Sequence, residues 1–152
     1  LASALLGLCV LPLLLSIMGE DWGQVRKNLR QGKIRPLSVY FAEQPTWSCY
    51  FEALEWLDTH SEQGAVCMGR NALMIYYMIG RRAVEYPYTA EPAALEQTLL
   101  GNDVRFIVED RFDWTTSTGL FLRPAMQGLP ADRFRLLYST GEPVNKVWAV
   151  AR

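Results

Sequence analysis

The chain has 152 residues, half of them hydrophobic, with 15 basic and 16 acidic side chains and a formal net charge of -1. This near-neutral balance lacks the basic surplus of a nucleic-acid-binding protein, so no nucleic acid is expected as a partner. The cysteines, Cys9, Cys49 and Cys67, form no C-x-x-C pair and no disulfide framework, and we interpret them as small buried apolar residues.

The N-terminal segment, residues 1–18, contains no charged side chain. An uncharged, mostly apolar stretch of about 18 residues is long enough to cross a bilayer as a helix. It has no initiator methionine, basic flank or small-residue cleavage site, which is untypical of a cleaved signal peptide. We therefore predict a transmembrane helix over residues 1–19, either the last helix of a longer protein or a single anchor. The expected partners are the lipid bilayer and other membrane helices or subunits.

A basic segment follows at residues 20–35. Trp22 begins an apolar stripe at helical spacing, while Arg26, Lys27 and Arg30 lie on the other faces. Such a pattern is typical of an interfacial helix, with tryptophan at the headgroup level and bases toward lipid phosphates. It is also typical of a solvated linker helix, and the residues leave both interpretations open. The basic flank alone favours the cytoplasmic side of the membrane.

Residues 36–152 are predicted to form one soluble α/β domain. The predicted elements are a helix at 46–62, a strand at 65–68, a helix at 71–79, a strand at 82–86, a helix at 91–100, a strand at 104–109, a helix at 114–127, and strands at 134–139 and 146–151. Strands that alternate with helices predict a three-layer α/β/α domain with a mostly parallel sheet. The last two strands, separated by a Gly-Glu-Pro turn, predict a C-terminal antiparallel hairpin.

The first predicted helix of this domain is amphipathic. Its apolar residues recur at helical spacing and should face the sheet or the helix near the membrane. They are Trp47, Tyr50, Phe51, Leu54 and Leu57.

Charged residues at the ends of the predicted elements are the candidate ligand contacts. Arg70 follows the first strand and Arg81 follows the helix stop at Gly80, so each could contact a phosphate, or could simply belong to a turn. Glu109, Asp110 and Asp113 follow the strand at 104–109, at the end of the sheet where open α/β folds place ligands. They could accept hydrogen bonds from sugar hydroxyls or bind a cation, and Asp113 could instead cap the next helix.

The sequence offers little for catalysis. His60 is the only histidine and lies near the end of the amphipathic helix predicted at 46–62, where a solvated position is expected. One histidine and scattered cysteines give no metal-ligand spacing, and no glycine-rich phosphate loop is present. We therefore predict no catalytic, metal-binding or cofactor-binding residue in this chain, and a soluble nucleotide-binding domain is disfavoured.

The chain resembles a known family through a series of short motifs. These are Trp56-Leu57, residues 66–70, Leu73, Tyr76 and Tyr77 with Gly80-Arg81, Tyr86-Pro87, residues 104–110, Leu122-Arg123-Pro124, residues 134–138 and residues 147–150. They are similar to the soluble C-terminal domain, with its preceding last transmembrane helix, of bacterial polyprenyl-phosphate-dependent membrane glycosyltransferases of the mannosyltransferase and aminoarabinose-transferase type.

This resemblance implies a periplasmic domain at the bacterial inner membrane, which would cap a membrane-embedded active site and contact a lipid-linked sugar or an acceptor. The catalytic acidic residues of that family lie on an extracytoplasmic loop N-terminal to anything in this chain, so no catalytic position carries over. The implied side of the membrane conflicts with the basic flank, and we follow the resemblance. Two functions stay open: the non-catalytic domain of such a transferase, or a non-catalytic accessory or structural subunit of a membrane complex derived from one.

Overall fold

The computed structural model describes residues 44–112 and 115–151. The predicted membrane helix at 1–19, the predicted interfacial helix with Trp22, Arg26, Lys27 and Arg30, and the candidate contact Asp113 lie outside these residues. Within the described part of the chain, no helix is long and apolar enough to cross a membrane.

The described elements alternate between helix and strand. In chain order they are α1 (Pro45–His60), β1 (Val66–Gly69), α2 (Ala72–Ile79), β2 (Ala83–Val84), α3 (Pro92–Gly101), β3 (Val104–Glu109), a π-helix (Thr118–Leu122) that continues into α4 (Arg123–Gln127), a 3-10 turn (Ala131–Arg133), β4 (Phe134–Ser139) and β5 (Lys146–Val150).

Five strands form one mixed sheet in the order β2-β1-β3-β5-β4. β1 pairs in parallel with β2 and β3, whereas β5 pairs antiparallel with β3 and β4. Four of the five strands therefore run in the same direction, and β4 and β5 form a hairpin. The predicted mixed α/β class, the mostly parallel sheet and the C-terminal hairpin are confirmed.

Helices pack on both faces of the sheet. A Cβ atom added at Gly69 would lie only 2.8 Å from the side chain of Ile75 in α2. The face of β1 at residue 69 is therefore covered by α2. The next residue back, Met68, belongs to the core cluster that contains Leu95 of α3 and Ala125 of α4. Because successive strand residues point to opposite faces, α2 and α3 cover opposite sides of the sheet.

Local sequence accounts for the start of α1 and for both ends of α2. α1 begins at Pro45, in the first turn, where a missing N–H costs nothing. In α2, the side chain of Asn71 accepts a hydrogen bond from the backbone N–H of Met74 and caps the first turn. Gly80 ends α2 with φ at 66°, a left-handed conformation in which glycine has no steric penalty.

The apolar face predicted for α1 is largely buried. Tyr50, Phe51, Leu54 and Leu57 are each less than 9% exposed, whereas Trp47 is half-buried. Trp47 instead contacts Phe112, with ring centroids 4.5 Å apart, near the carboxyl end of β3. The face therefore continues from the sheet to the loop that follows β3.

Two predicted elements are shorter than expected. β2 keeps only Ala83 and Val84, because it is an edge strand paired with β1 alone over two residues. The helix predicted from residue 114 begins as a π-helix at Thr118. Before that point, the Thr115 hydroxyl accepts a hydrogen bond from the Ser117 backbone N–H, a local bond that competes with helix formation.

Candidate ligand-binding site

A cavity of about 640 Å³ opens between α4 and the β4–β5 hairpin, beside the carboxyl end of β3. This volume lies within the range of small-molecule sites, roughly 300–1,000 Å³. Its lining combines charged, aromatic and aliphatic side chains. The lining residues are Glu109, Arg111, Arg123, Met126, Gln127, Ala131, Phe134, Val144, Lys146 and Trp148.

Glu109 is the buried carboxylate of this cavity, with 3% of its surface exposed. It is the last residue of β3, and its backbone pairs with Lys146 at the start of β5. One carboxylate oxygen accepts a hydrogen bond from Arg123 Nε, and the other accepts one from Trp148 Nε1 at 2.8 Å. A buried carboxylate needs such donors to offset its lost hydration. Glu109 therefore fixes the orientation of the guanidinium and the indole that line the cavity.

Three cations line the same cavity. Arg123 is 38% exposed in its side chain and pairs with Glu109 through Nε. Arg111 is exposed, and its backbone N–H donates to Asn145 Oδ1 at 2.9 Å, which fixes the start of the loop after β3. The Lys146 ammonium lies 5.5 Å from the centroid of the Trp148 ring. The cavity thus has more positive than negative charge.

The next residue, Asp110, points away from Glu109 and is 2% exposed. Its carboxylate lies 3.5 Å from Arg70 Nε, at the end of the neighbouring strand β1. Thr118 Oγ1 donates a hydrogen bond to it at 3.1 Å. Burial raises the pKa of Asp110, and both Arg70 and the Thr118 hydroxyl oppose that rise by favouring the charged form.

Asp110 terminates a chain of hydroxyl groups. Because Thr118 gives its proton to Asp110, the Tyr86 hydroxyl donates to Thr118 Oγ1, 3.0 Å away. Tyr86 in turn accepts from Ser117 Oγ at 3.0 Å, and Ser117 accepts from Thr115 at 3.1 Å. Each hydroxyl both donates and accepts, so the hydrogen bonds of this series all point toward the buried carboxylate of Asp110. Burial raises the pKa of Tyr86, which keeps this hydroxyl protonated.

Arg70 also lies over an aromatic ring. Its guanidinium carbon is 5.1 Å from the centroid of Phe112, and its side chain is 12% exposed. Tyr50 of α1 packs against the same ring at 5.1 Å between centroids and is 1% exposed. Burial raises the pKa of Tyr50, and the nearby Asp110 carboxylate adds to that rise. Arg70 and Asp110 therefore form a pair enclosed by aromatic rings.

The structure brings some of the predicted contacts together and separates others. Arg70 and Asp110 form one ion pair, whereas Glu109 lies in the cavity with a different cation. Arg81 belongs to neither group: it is 3% exposed and donates to the backbone carbonyls of Asp58 and Ser61 at the end of α1, at 3.1 and 3.0 Å. These contacts belong to the fold, and the ligand contacts expected of these residues stay predictions.

His60 lies at the last position of α1 and is exposed. Its ring stacks on Trp56, with centroids 4.5 Å apart, and its Nδ1 lies 2.8 Å from the Thr59 hydroxyl. Within residues 44–112 and 115–151, no group of three or more histidine, cysteine or acidic side chains could hold a metal ion.

The cavity includes residues that the sequence did not single out as contacts. Arg123, Lys146 and Trp148 lie 14 to 39 positions from Glu109 and reach it only through folding. One signal was available, because residues 146–150 alternate and this pattern places Lys146 and Trp148 on the same face of their strand.

No family model and no curated protein sequence matches the chain. Among solved structures, the chain is similar to the C-terminal globular domain of an oligosaccharyltransferase from Archaeoglobus fulgidus. The sequence identity is 17% and the TM-score is 0.43, over 71% of this chain and 98% of that domain. At this level of similarity, the comparison assigns neither a family nor a function.

Proposed function

We propose that residues 36–152 form a non-catalytic domain of a membrane glycosyltransferase, which moves a sugar from a polyprenyl-phosphate carrier to a lipid or polysaccharide acceptor. In this proposal the domain lies on the periplasmic side of the bacterial inner membrane and is tethered by the helix predicted at 1–19. Its contribution is to bind a saccharide portion of a substrate. The sequence motifs described above suggest the family, and the cavity beside Glu109 carries the binding role.

The cavity supports saccharide binding through its mixture of side chains. A sugar presents hydroxyl groups around a ring with apolar faces, so its site needs both fixed polar groups and flat apolar walls. Glu109, Arg123 and Gln127 supply acceptors and donors, while Trp148 and Phe134 supply aromatic surface. Because the Trp148 indole donates to Glu109, its ring is already held in place before a ligand arrives.

The pairing of both carboxylates favours binding over catalysis. Glu109 is held by Arg123 and Trp148, and Asp110 by Arg70 and Thr118. A general acid or base must exchange a proton with its substrate, which requires a carboxyl group that is free to approach the reacting atom. Here each carboxylate is instead the centre of a fixed set of donors, and the donors of Glu109 form part of the cavity wall.

A saccharide-binding experiment tests this proposal on the full chain in detergent. Saturation-transfer NMR with D-glucose, D-mannose and D-glucosamine should show transfer from the protein to the sugar ring protons. Trp148→Leu should abolish that transfer, because it removes the aromatic wall. Trp56→Leu is the matched control, since Trp56 stacks on His60 and Tyr138 and does not line the cavity. Transfer absent for all three sugars, or lost equally in both variants, would contradict the proposal.

A second candidate is an accessory or structural subunit that performs no sugar chemistry in its complex. The observation that favours it is the exposed face of α2, where Leu73, Tyr76 and Tyr77 are 77%, 61% and 64% exposed. The complete coding sequence separates the two candidates. Further membrane spans and an acidic pair on an extracytoplasmic loop before residue 1 would support the enzyme, whereas a start codon shortly before residue 1 would support the subunit.

A further inference from the structure

The cavity beside Glu109 is lined by three cations and one carboxylate. The charge of Glu109 is already matched, because Arg123 Nε donates to it and Trp148 Nε1 donates to its other oxygen. Arg111 and Lys146 have no ion pair within the described residues. Two positive charges at the cavity are therefore left for an anion.

These cations differ in what they can offer a ligand. The Arg123 guanidinium is fixed by its bond to Glu109 through Nε, and its two terminal nitrogens have no partner among residues 44–112 and 115–151. A planar guanidinium with its donors aligned in this way suits the oxygens of a phosphate. Lys146 and Arg111 add charge from β5 and from the loop after β3. The positive groups thus surround the cavity from three separate elements.

The remaining walls favour a ligand with an apolar surface as well as a charge. Phe134, Met126, Val144 and Ala131 line the cavity together with Trp148. A free inorganic anion would leave these walls unused. A sugar ring attached to the anion would cover them and would leave its hydroxyl groups beside Gln127 and Glu109.

We propose that this cavity binds a phosphorylated saccharide, with its phosphate among Arg111, Arg123 and Lys146 and its ring against Trp148. This inference rests on the proposed function and specifies the chemical class of ligand for the same cavity. A phosphomonoester has a charge between -1 and -2 at neutral pH, which matches the two uncompensated cations, and its three oxygens accept from several donors at once. A single carboxylate offers one charge and two oxygens.

Four probes separate the possible ligands in calorimetric titrations of the full chain in detergent: glucose 1-phosphate, glucose, glucuronate and inorganic phosphate. Glucose 1-phosphate should bind most tightly, and its affinity should fall as salt is added, because exposed charges are screened. Lys146→Gln and Arg111→Gln should each weaken its binding by about tenfold while leaving the weak binding of glucose unchanged. Arg135→Gln is the matched control, because Arg135 is exposed on β4 and does not line the cavity.

The outcomes distinguish this inference from the proposed function. If glucose binds as well as glucose 1-phosphate, the phosphate site is wrong and the saccharide-binding proposal survives. If inorganic phosphate or glucuronate binds as tightly as glucose 1-phosphate, the phosphorylated-saccharide class is wrong. If no saccharide binds, the proposed function fails as well. Circular dichroism of each variant should be unchanged, because Arg111 is exposed and Lys146 is half-buried with its ammonium at the cavity.

Discussion

Replacement of Arg81 by methionine should destabilise the fold by about 3 kcal/mol. The guanidinium is 3% exposed and donates to the backbone carbonyls of Asp58 and Ser61, which are among the groups that the end of α1 leaves without a helical partner. Each hydrogen bond from a charged donor contributes roughly 1.5–3 kcal/mol, and the cost of burying the guanidinium offsets part of the sum. The ion pair with Asp58 at 3.6 Å adds about 1 kcal/mol at most, because that aspartate is 36% exposed.

Urea unfolding of the full chain, followed by tryptophan fluorescence, measures this loss. Arg82→Met is the matched control, because Arg82 is the next residue, is exposed and makes no ion pair within the described residues. The Arg81 variant should lower the urea midpoint with the slope unchanged, while the control should stay within about 0.5 kcal/mol of the parent chain. Equal stability of the two variants would refute the structural role of Arg81, and Arg81 would again be a candidate ligand contact, as expected from the sequence.

Substitutions at two further residues probe the core and the buried ion pair. Leu54→Asp should lower the free energy of unfolding in urea by about 3–5 kcal/mol, because Leu54 is fully buried and the aspartate would have no partner. The control Leu54→Met should lower it by less than about 1.5 kcal/mol. Equal urea midpoints for the two variants would contradict the burial of this helix face. Burial raises the pKa of Asp110 in the folded state above its ordinary value of 3.8. At pH values between these two pKa values, the native state binds more protons than the unfolded state. The free energy of unfolding should therefore fall as the pH rises through that window. Asp110→Asn should remove this part of the pH dependence of the unfolding midpoint, and an unchanged pH profile would show that Asp110 does not titrate as described.

Elements with a strong local pattern were predictable from the sequence. β3 has the bounds expected at 104–109, because its β-branched and aromatic residues favour a strand and Gly101 and Asp110 interrupt the pattern on either side. α1 and α2 lie within two residues of their expected bounds, since Pro45, Asn71 and Gly80 act locally at their ends. Such signals depend only on neighbouring residues, so the tertiary packing does not move the element bounds that they set.

The candidate site was less predictable, because its contacts join distant segments. The strand at 104–109 correctly indicated Glu109 and Asp110 as residues at a sheet end, but their partners depend on sheet order. Glu109 pairs with Lys146 because β5 inserts between β3 and β4, and the sequence of the hairpin does not specify that neighbour. Arg81 shows the opposite case: its place after a helix stop indicated a phosphate contact or a turn residue, whereas its burial depends on the packing of α1 against α2.

The position of Glu109 and Asp110 explains how one strand end serves two roles. Adjacent residues on a strand point to opposite faces, so the two carboxylates find different cations without competing for one. Asp110 joins β1 and β3 through Arg70, within a ring of aromatic side chains and hydroxyl groups that belongs to the interior. Glu109 orients Arg123 and Trp148 on the other face, where the cavity opens. Asp110 thereby fixes the strand end from which Glu109 organises the cavity. A change at Asp110 should therefore disturb the fold and the cavity together, whereas a change at Lys146 or Arg111 should disturb the cavity alone.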